Sequence, residues 1–131
     1  MGTRCLTYVY DNNDKPIIKL YRQHDGYPSG HGRELAEFLT SIKEITNGFS
    51  PSETRRIANG MGCLAAQLVA HFKTGAGGFY LYPVDVTDCG QDYEYHVFTD
   101  RVGVKDSRGD VLFEGSWKKF RKFCAEGNED D

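Results

Sequence analysis

Strand-like segments at the start and toward the end of the chain, with helix-like segments between and after them, predict an α+β fold. The expected architecture is a single domain, an antiparallel sheet of about five or six strands packed by two or three helices on one face. The segment order, β-β-α-α-β-β-β-β-α, lacks the strict strand–helix alternation that a parallel nucleotide-binding sheet requires. A chain of 131 residues also suffices for one core without metal or disulfide staples. The domain is expected to span 1–125, with 126–131 as an acidic tail that frays.

In order along the chain, Cys5 to Tyr10 is rich in β-branched and aromatic residues and reads as a strand. Asp11-Asn12-Asn13-Asp14 turns the chain by bonding to nearby backbone. Ile17 to Arg22 returns as the second arm of a hairpin, with Pro16 at its first position, where a missing donor is tolerated. After a glycine-rich loop, Leu35, Phe38, Leu39 and Ile42 recur at helical spacing. They predict an amphipathic helix over Glu34 to Ile45, stopped by Asn47-Gly48. Ser50-Pro51-Ser52-Glu53 has the pattern of a capped helix start. Ile57, Met61, Leu64, Ala65, Leu68, Val69 and Phe72 then share one apolar face. Gly60 and Gly62 weaken that helix, so they mark close packing or a local break. Thr74 to Gly78 ends it. Phe79 to Val84, Tyr93 to Thr99, Val102 to Lys105 and Val111 to Glu114 read as strands, the last two joined through Asp106-Ser107-Arg108-Gly109. Ser116 caps a final helix from Trp117 to about Ala125.

Sixteen basic against nineteen acidic residues leave a net charge of −3. That excludes a nucleic-acid coat and a mimic of DNA, so nucleic acid is not expected as a partner. No apolar run approaches the roughly 18 residues of a membrane helix, and the first residues lack a signal peptide's apolar stretch. A soluble cytoplasmic protein without membrane attachment is expected. Cys5, Cys63, Cys89 and Cys124 lie far apart and lack the close pairs of a structural zinc site. No metal and no cofactor is expected, and the cysteines read as reduced thiols.

Chemistry-bearing residues are densest in Gln23-His24-Asp25-Gly26-Tyr27-Pro28-Ser29-Gly30-His31-Gly32-Arg33-Glu34. Strand, glycine-rich loop and helix start together suit an anion. Unpaired N–H groups of the first turn face negative charge, and glycines admit a ligand to the backbone. Gly30, His31, Gly32 and Arg33 are the candidate ligand-binding residues there, with Arg33 as a bidentate clamp. His31 and Arg33 are expected to point away from the apolar stripe of the following helix. The same stretch also reads as a packed connector, with Asp25-Gly26 as a turn, Tyr27 pinned into the core and Ser29 as a cap. It matches neither a Walker nor a dinucleotide fingerprint. An enzyme built here would use His24 and His31 as acid and base with Asp25 as the orienting carboxylate. Cys63 and Cys89 are conceivable nucleophiles, Cys63 reading rather as packing. His96 reads as a strand residue with a satisfied hydrogen bond.

Tyr80 and Tyr82 alternate along one strand segment and Tyr93 and Tyr95 along another, so each pair shares a face. Left uncovered by helices, that face offers an aromatic surface for stacking a base or binding a protein, represented by Tyr82 and Tyr95. Covered, it is the edge of the core. On the last helix Trp117, Phe120 and Cys124 face inward. Lys118, Arg121 and Lys122 then form a solvated face whose field the following acidic residues offset.

The stretch Tyr21 to Leu39, with its Asp-Gly-Tyr-Pro, Gly-His-Gly and Glu-Leu-Ala elements, resembles a group of small uncharacterised proteins of bacteriophages, prophages and bacteria. Gly78 to Tyr82 and Tyr93 to Val97 are similar more weakly. The resemblance brings no activity and no catalytic residues. It implies a phage accessory context, in the cytoplasm of a host cell, where small proteins modify or block host systems, including antiviral defence. The expected function is binding, to a host protein or a small anionic, nucleotide-like ligand. The alternatives are a compact phosphoester-type hydrolase using the His24–His31 loop, and a virion structural or assembly component. Homo-oligomerisation stays open. Thiol titration of the denatured, non-reduced protein should find close to four reactive groups; stoichiometric zinc, or no reactive thiol, overturns that expectation.

Overall fold

A short turn at Asp11 begins the architecture. Its Oδ1 accepts from the N–H groups of Asn13 and Lys15 at 2.8 and 3.0 Å, and Asp14 takes the left-handed φ of 59° that aspartate tolerates. This closes the hairpin of β1 (Cys5–Tyr10) and β2 (Pro16–Arg22). The computed structural model of the chain describes residues 2–46, 56–86 and 89–126. Beyond the hairpin, a single wide turn of π-helix over Pro28–Gly32 runs directly into α1 (Arg33–Ser41). β3 (Glu44–Thr46) and β4 (Ile57–Asn59) pair in parallel as a small separate sheet. Next come α2 (Gly60–Phe72), β5 (Phe79–Tyr82), β6 (Tyr93–Val97), β7 (Val102–Asp106), β8 (Val111–Gly115) and α3 (Trp117–Ala125). The main sheet has the order β5-β2-β1-β6-β7-β8. All its pairings are antiparallel except β1–β6. The chain is a mixed α+β single domain, as its segment order predicts.

Register divides the side chains of the sheet between two faces. Cys5, Thr7 and Val9 of β1 align with Tyr93, Tyr95 and Val97 of β6, and these with Asp106, Val104 and Val102 of β7. The helices cover this face: Phe72 of α2 lies 5.5 Å from Phe79, and Phe120 of α3 lies 6.2 Å from Tyr95. Leu35, Leu39, Leu64, Leu68, Phe120 and Cys124 are fully buried between the layers. Each such side chain contributes roughly 1.5–3 kcal/mol through the apolar area it removes from water. The opposite face carries Leu6, Tyr8, Tyr10, Lys19, Tyr21, Glu94 and His96, and among the described residues no helix.

Two helix boundaries differ from the sequence expectation. The first helix stops at Ser41 rather than Ile45, because Thr40 and Ser41 turn their hydroxyls back onto the carbonyls of Ala36 and Phe38 at 2.8 and 2.6 Å. Lys43 then donates to Arg56 at 2.6 Å, and Ile45 goes into the small sheet. The second helix begins at Gly60, not upstream of Ile57, which lies in β4. Gly60 has φ +83°, so it is the break that its weak helix propensity hinted at. The Asn47-Gly48 stop and the Ser50–Glu53 cap lie outside the described residues. Ser116 caps α3, its side chain accepting from the N–H of Lys119 at 3.2 Å.

Urea unfolding checks these assignments. Leu64→Ala should lose about 2–5 kcal/mol, the range for deleting a fully buried leucine. Ser116→Ala should lose about 1 kcal/mol.

Candidate functional site

The loop richest in titratable residues turns its histidine inward. Pro28–Gly32 forms the π turn because the N–H groups of Gly30, His31 and Gly32 find carbonyls of the same loop: Tyr27 at 2.9 Å, Asp25 at 2.7 Å and Tyr27 again at 3.4 Å. The Arg33 N–H bonds to Gly30. The donors on which an anion site at this helix start would rely are therefore spent. His31 is fully buried, which corrects the expectation that it faces outward. Its Nδ1 lies 3.3 Å from the Arg22 guanidinium and its Nε2 lies 2.7 Å from Thr7 Oγ1. A guanidinium only donates, so Nδ1 accepts, and the proton sits on Nε2 and points at Thr7. Burial first, and the Arg22 charge second, push the imidazole down to about 3. Such a ring is neutral across the physiological range.

The other loop residues are placed separately. His24 is exposed and packs against Gly2; Asp25 is exposed at φ 63° and lies 4.0 Å from Arg22. His24, Asp25 and His31 are thus not assembled as a triad. Arg33 is exposed, and the cation that organises the loop is Arg22, paired with Glu34 at 2.8 Å and lying over the Phe79 ring. The loop's glycines serve packing. A Cβ on Gly26 would sit 2.9 Å from the β1 backbone, one on Gly32 would sit 2.9 Å from Cys124 Sγ, and one on Gly30 would strike the Asp25 carbonyl at 2.6 Å.

The tyrosines separate as well. β5 and β6 are not neighbours, since β2 and β1 stand between them. Tyr93 and Tyr95 face the helices and are buried, the Tyr95 hydroxyl donating to the Gly26 carbonyl at 2.7 Å. Tyr80 and Tyr82 align with Tyr21 and Lys19 on the open face and are 44% and 36% exposed. Tyr95 is therefore core, and Tyr82 surface.

The open face holds a row of rings drawn alternately from β1 and the β6 end. Tyr8 and His96 are parallel at 4.7 Å, His96 and Tyr10 lie at 5.8 Å, and Tyr10 and Phe98 at 4.3 Å. Lys19 lies over Tyr8 at one end of the row and Arg101 over Phe98 at the other, 4.9 and 4.0 Å from the ring centres. Hydrogen bonds lock the middle. His96 Nε2 donates to Glu94 at 3.0 Å, and in the neutral ring Nδ1 accepts the Tyr10 hydroxyl at 2.6 Å. The hydrogen bond from His96, and a second from Gln91, hold the Glu94 carboxyl below its ordinary range against the opposing effect of burial. Burial above all, with the neighbouring Tyr8 and Glu94, pushes the Tyr10 hydroxyl up to about 12.

Beside this row lies a hollow of about 240 Å³, lined by Tyr10, His96, Phe98, Arg101, Lys105, Val111 and Glu114, with Gly103 and Val104 of β7. Gly103 is the register partner of His96 on one side and of Glu114 on the other. A Cβ there would meet nothing within 4 Å, and its φ lies outside the left-handed region. Unlike the loop glycines, it is required neither by crowding nor by backbone conformation. A glycine within a strand weakens it and often marks the close approach of a ligand. Sequence reasoning passed over Gly103, Phe98, Arg101 and Lys19. The available signal was the ring alternation of Tyr8 and Tyr10 against His96 and Phe98, with a glycine inside the next strand.

Comparison of the chain with protein-family models, curated proteins and solved structures finds no match. Among the described residues no three His, Cys, Asp or Glu side chains come together as a metal-ligand set.

The His31 site sets a pH dependence. Unfolded, the imidazole returns to about 6.5; folded, it stays near about 3. Between those values the unfolded chain binds a proton that the folded protein refuses, so this contribution is whole above about pH 6.5 and is lost as pH falls. The slope from this one group reaches about 1.4 kcal/mol per pH unit. Urea unfolding from about pH 7 down to about pH 4 should show the decline, flattened in His31→Gln; equal slopes in both proteins would mean that His31 is not the group responsible.

Proposed function

We propose that the protein acts by binding rather than by catalysis, and that its site is the hollow over Gly103 on the open face of the sheet. The fitting ligand is small, carries a planar ring and bears an anionic group, as a nucleotide does. One observation carries the reading: a mid-strand glycine, free of steric or conformational cause, leaves a ring-sized space walled by Tyr10, His96 and Phe98. Lys105 and Arg101 place positive charge around the hollow, while Glu114 can accept from ring N–H donors. Catalysis has weak support. The Cys5 thiol is pushed well up by burial, that of Cys124 up to about 12, and His31 is locked neutral. In an accessory protein of the kind the sequence resembles, withholding such a ligand is one way to counter host defence.

Calorimetric titration with nucleoside monophosphates and the matching nucleosides tests this. Gly103→Val fills the hollow with a residue that strands favour by up to about 1 kcal/mol, so stability should hold or rise while affinity falls at least about tenfold. Phe98→Ala should also weaken binding. Undiminished binding by Gly103→Val, or no binding by the unaltered protein, sinks the proposal. A host protein retained by the unaltered chain and lost from Gly103→Val would make the hollow a protein-docking surface instead.

A further inference from the structure

On the far side of Tyr8 from the hollow, the open face buries a charge. Lys19 is fully buried, and its Nζ has no hydrogen-bond partner among the described residues. Nor does any described carboxylate form an ion pair with it; those of this face pair with Arg101 and His96. An aromatic ring lies beside the ammonium. Tyr8 is its register partner on β1, with Nζ 4.9 Å from the ring centre, and Tyr82 is its partner on β5. Tyr21 stacks on Tyr82 at 5.4 Å with the planes 5° apart.

An ammonium that has given up water without gaining an acceptor is among the more destabilising groups a fold can hold, and a cation–π contact returns only part of the loss. Methionine has a similar length and would fill the same space without that penalty. Among the described residues two buried side-chain nitrogens lack a partner, Lys19 Nζ and Arg4 Nε, while the buried His31, Thr7 and Tyr95 all have one. Position adds to the argument. Lys19 and the hollow share the Tyr8–His96 stack, with successive spacings of 4.9 and 4.7 Å from Nζ to Tyr8 and from Tyr8 to His96. A ligand whose ring lies in the hollow and whose charged group sits some distance away spans that gap. Lys19 is fully buried in the free protein, so an anion reaches Nζ only as a neighbouring side chain gives way; Tyr82, its partner on β5, is 36% exposed.

We infer that Lys19 is a binding residue, its Nζ receiving the anionic group, phosphate or carboxylate, of the ligand whose ring occupies the hollow. This rests on the reading of the open face as the binding surface. Binding supplies the missing acceptor, so Lys19 destabilises the free protein and strengthens the complex.

The test pairs Lys19→Met with Gly103→Val. In phosphate-free buffer Lys19→Met should melt higher than the unaltered protein, by on the order of 5 °C. Its affinity for nucleoside monophosphates should fall at least about tenfold, a loss of one anchoring contact. Inorganic phosphate and benzoate, added separately, should raise the melting temperature of the unaltered protein and of Gly103→Val but not of Lys19→Met. Whichever anion acts identifies the group received. A lower melting temperature for Lys19→Met, or its failure to fold, would show a purely structural lysine and overturn the inference. Unchanged affinity in Lys19→Met would do the same, and if Gly103→Val had lost affinity the open-face reading would stand without Lys19.

Discussion

The buried hydrogen-bond chain Thr7–His31–Arg22 fixes how the helical layer sits on the sheet. Thr7 belongs to β1, Arg22 to the end of β2, and His31 to the wide turn that launches α1. Thr7 and His31 are fully buried, so the imidazole depends on Thr7 on one side and Arg22 on the other. Arg22 extends the chain to Glu34 in the first turn of α1 and to the ring of Phe79 on β5. Tyr95 adds a parallel tie from β6 to the Gly26 carbonyl of the same loop. The loop that looks most like a reactive site is therefore the bolt between the two layers. Its glycines are small because β1, α3 and the loop itself press against them.

With one face of the sheet committed to that joint, the proposed recognition falls to the other. There the side chains follow a different rule. Rings stack flat on one another and a cation closes the row at each end, an arrangement that would be preorganised for the proposed ligand. The hollow beside it is shaped by what is absent, a side chain at Gly103. Aromatic walls rimmed by Arg101, Lys105 and Glu114 suit the proposed binding of a ring that carries charge.

Local pattern carried most of the fold. The Asp11 turn, the Ser116 cap and the apolar faces of α1, α2 and α3 all follow from side chains within a few residues of one another. What sequence could not supply was neighbour order. Tyr80 and Tyr82 look like companions of Tyr93 and Tyr95 until two strands are found between them, and then the pairs face opposite sides. The same limit hid the site. Whether a glycine is crowded or leaves open space depends on what stands across from it, as Gly32 against Cys124 and Gly103 against nothing show. The inward turn of His31 was likewise invisible, because its partner Thr7 lies 24 positions earlier in a strand.

The parallel contact of β1 with β6 shapes how the chain acquires its structure in time. β1 can find β2 at once through a tight turn, but its other side must wait for a segment whose first contact, Arg4 with Asp92, spans 88 positions. Closing so long a loop is entropically slow compared with hairpin formation. Until β6 docks, one edge of β1 stands open in the middle of the future sheet, on the side away from β2. During synthesis this half-sheet would be exposed to self-association for as long as it takes the remaining strands to leave the ribosome.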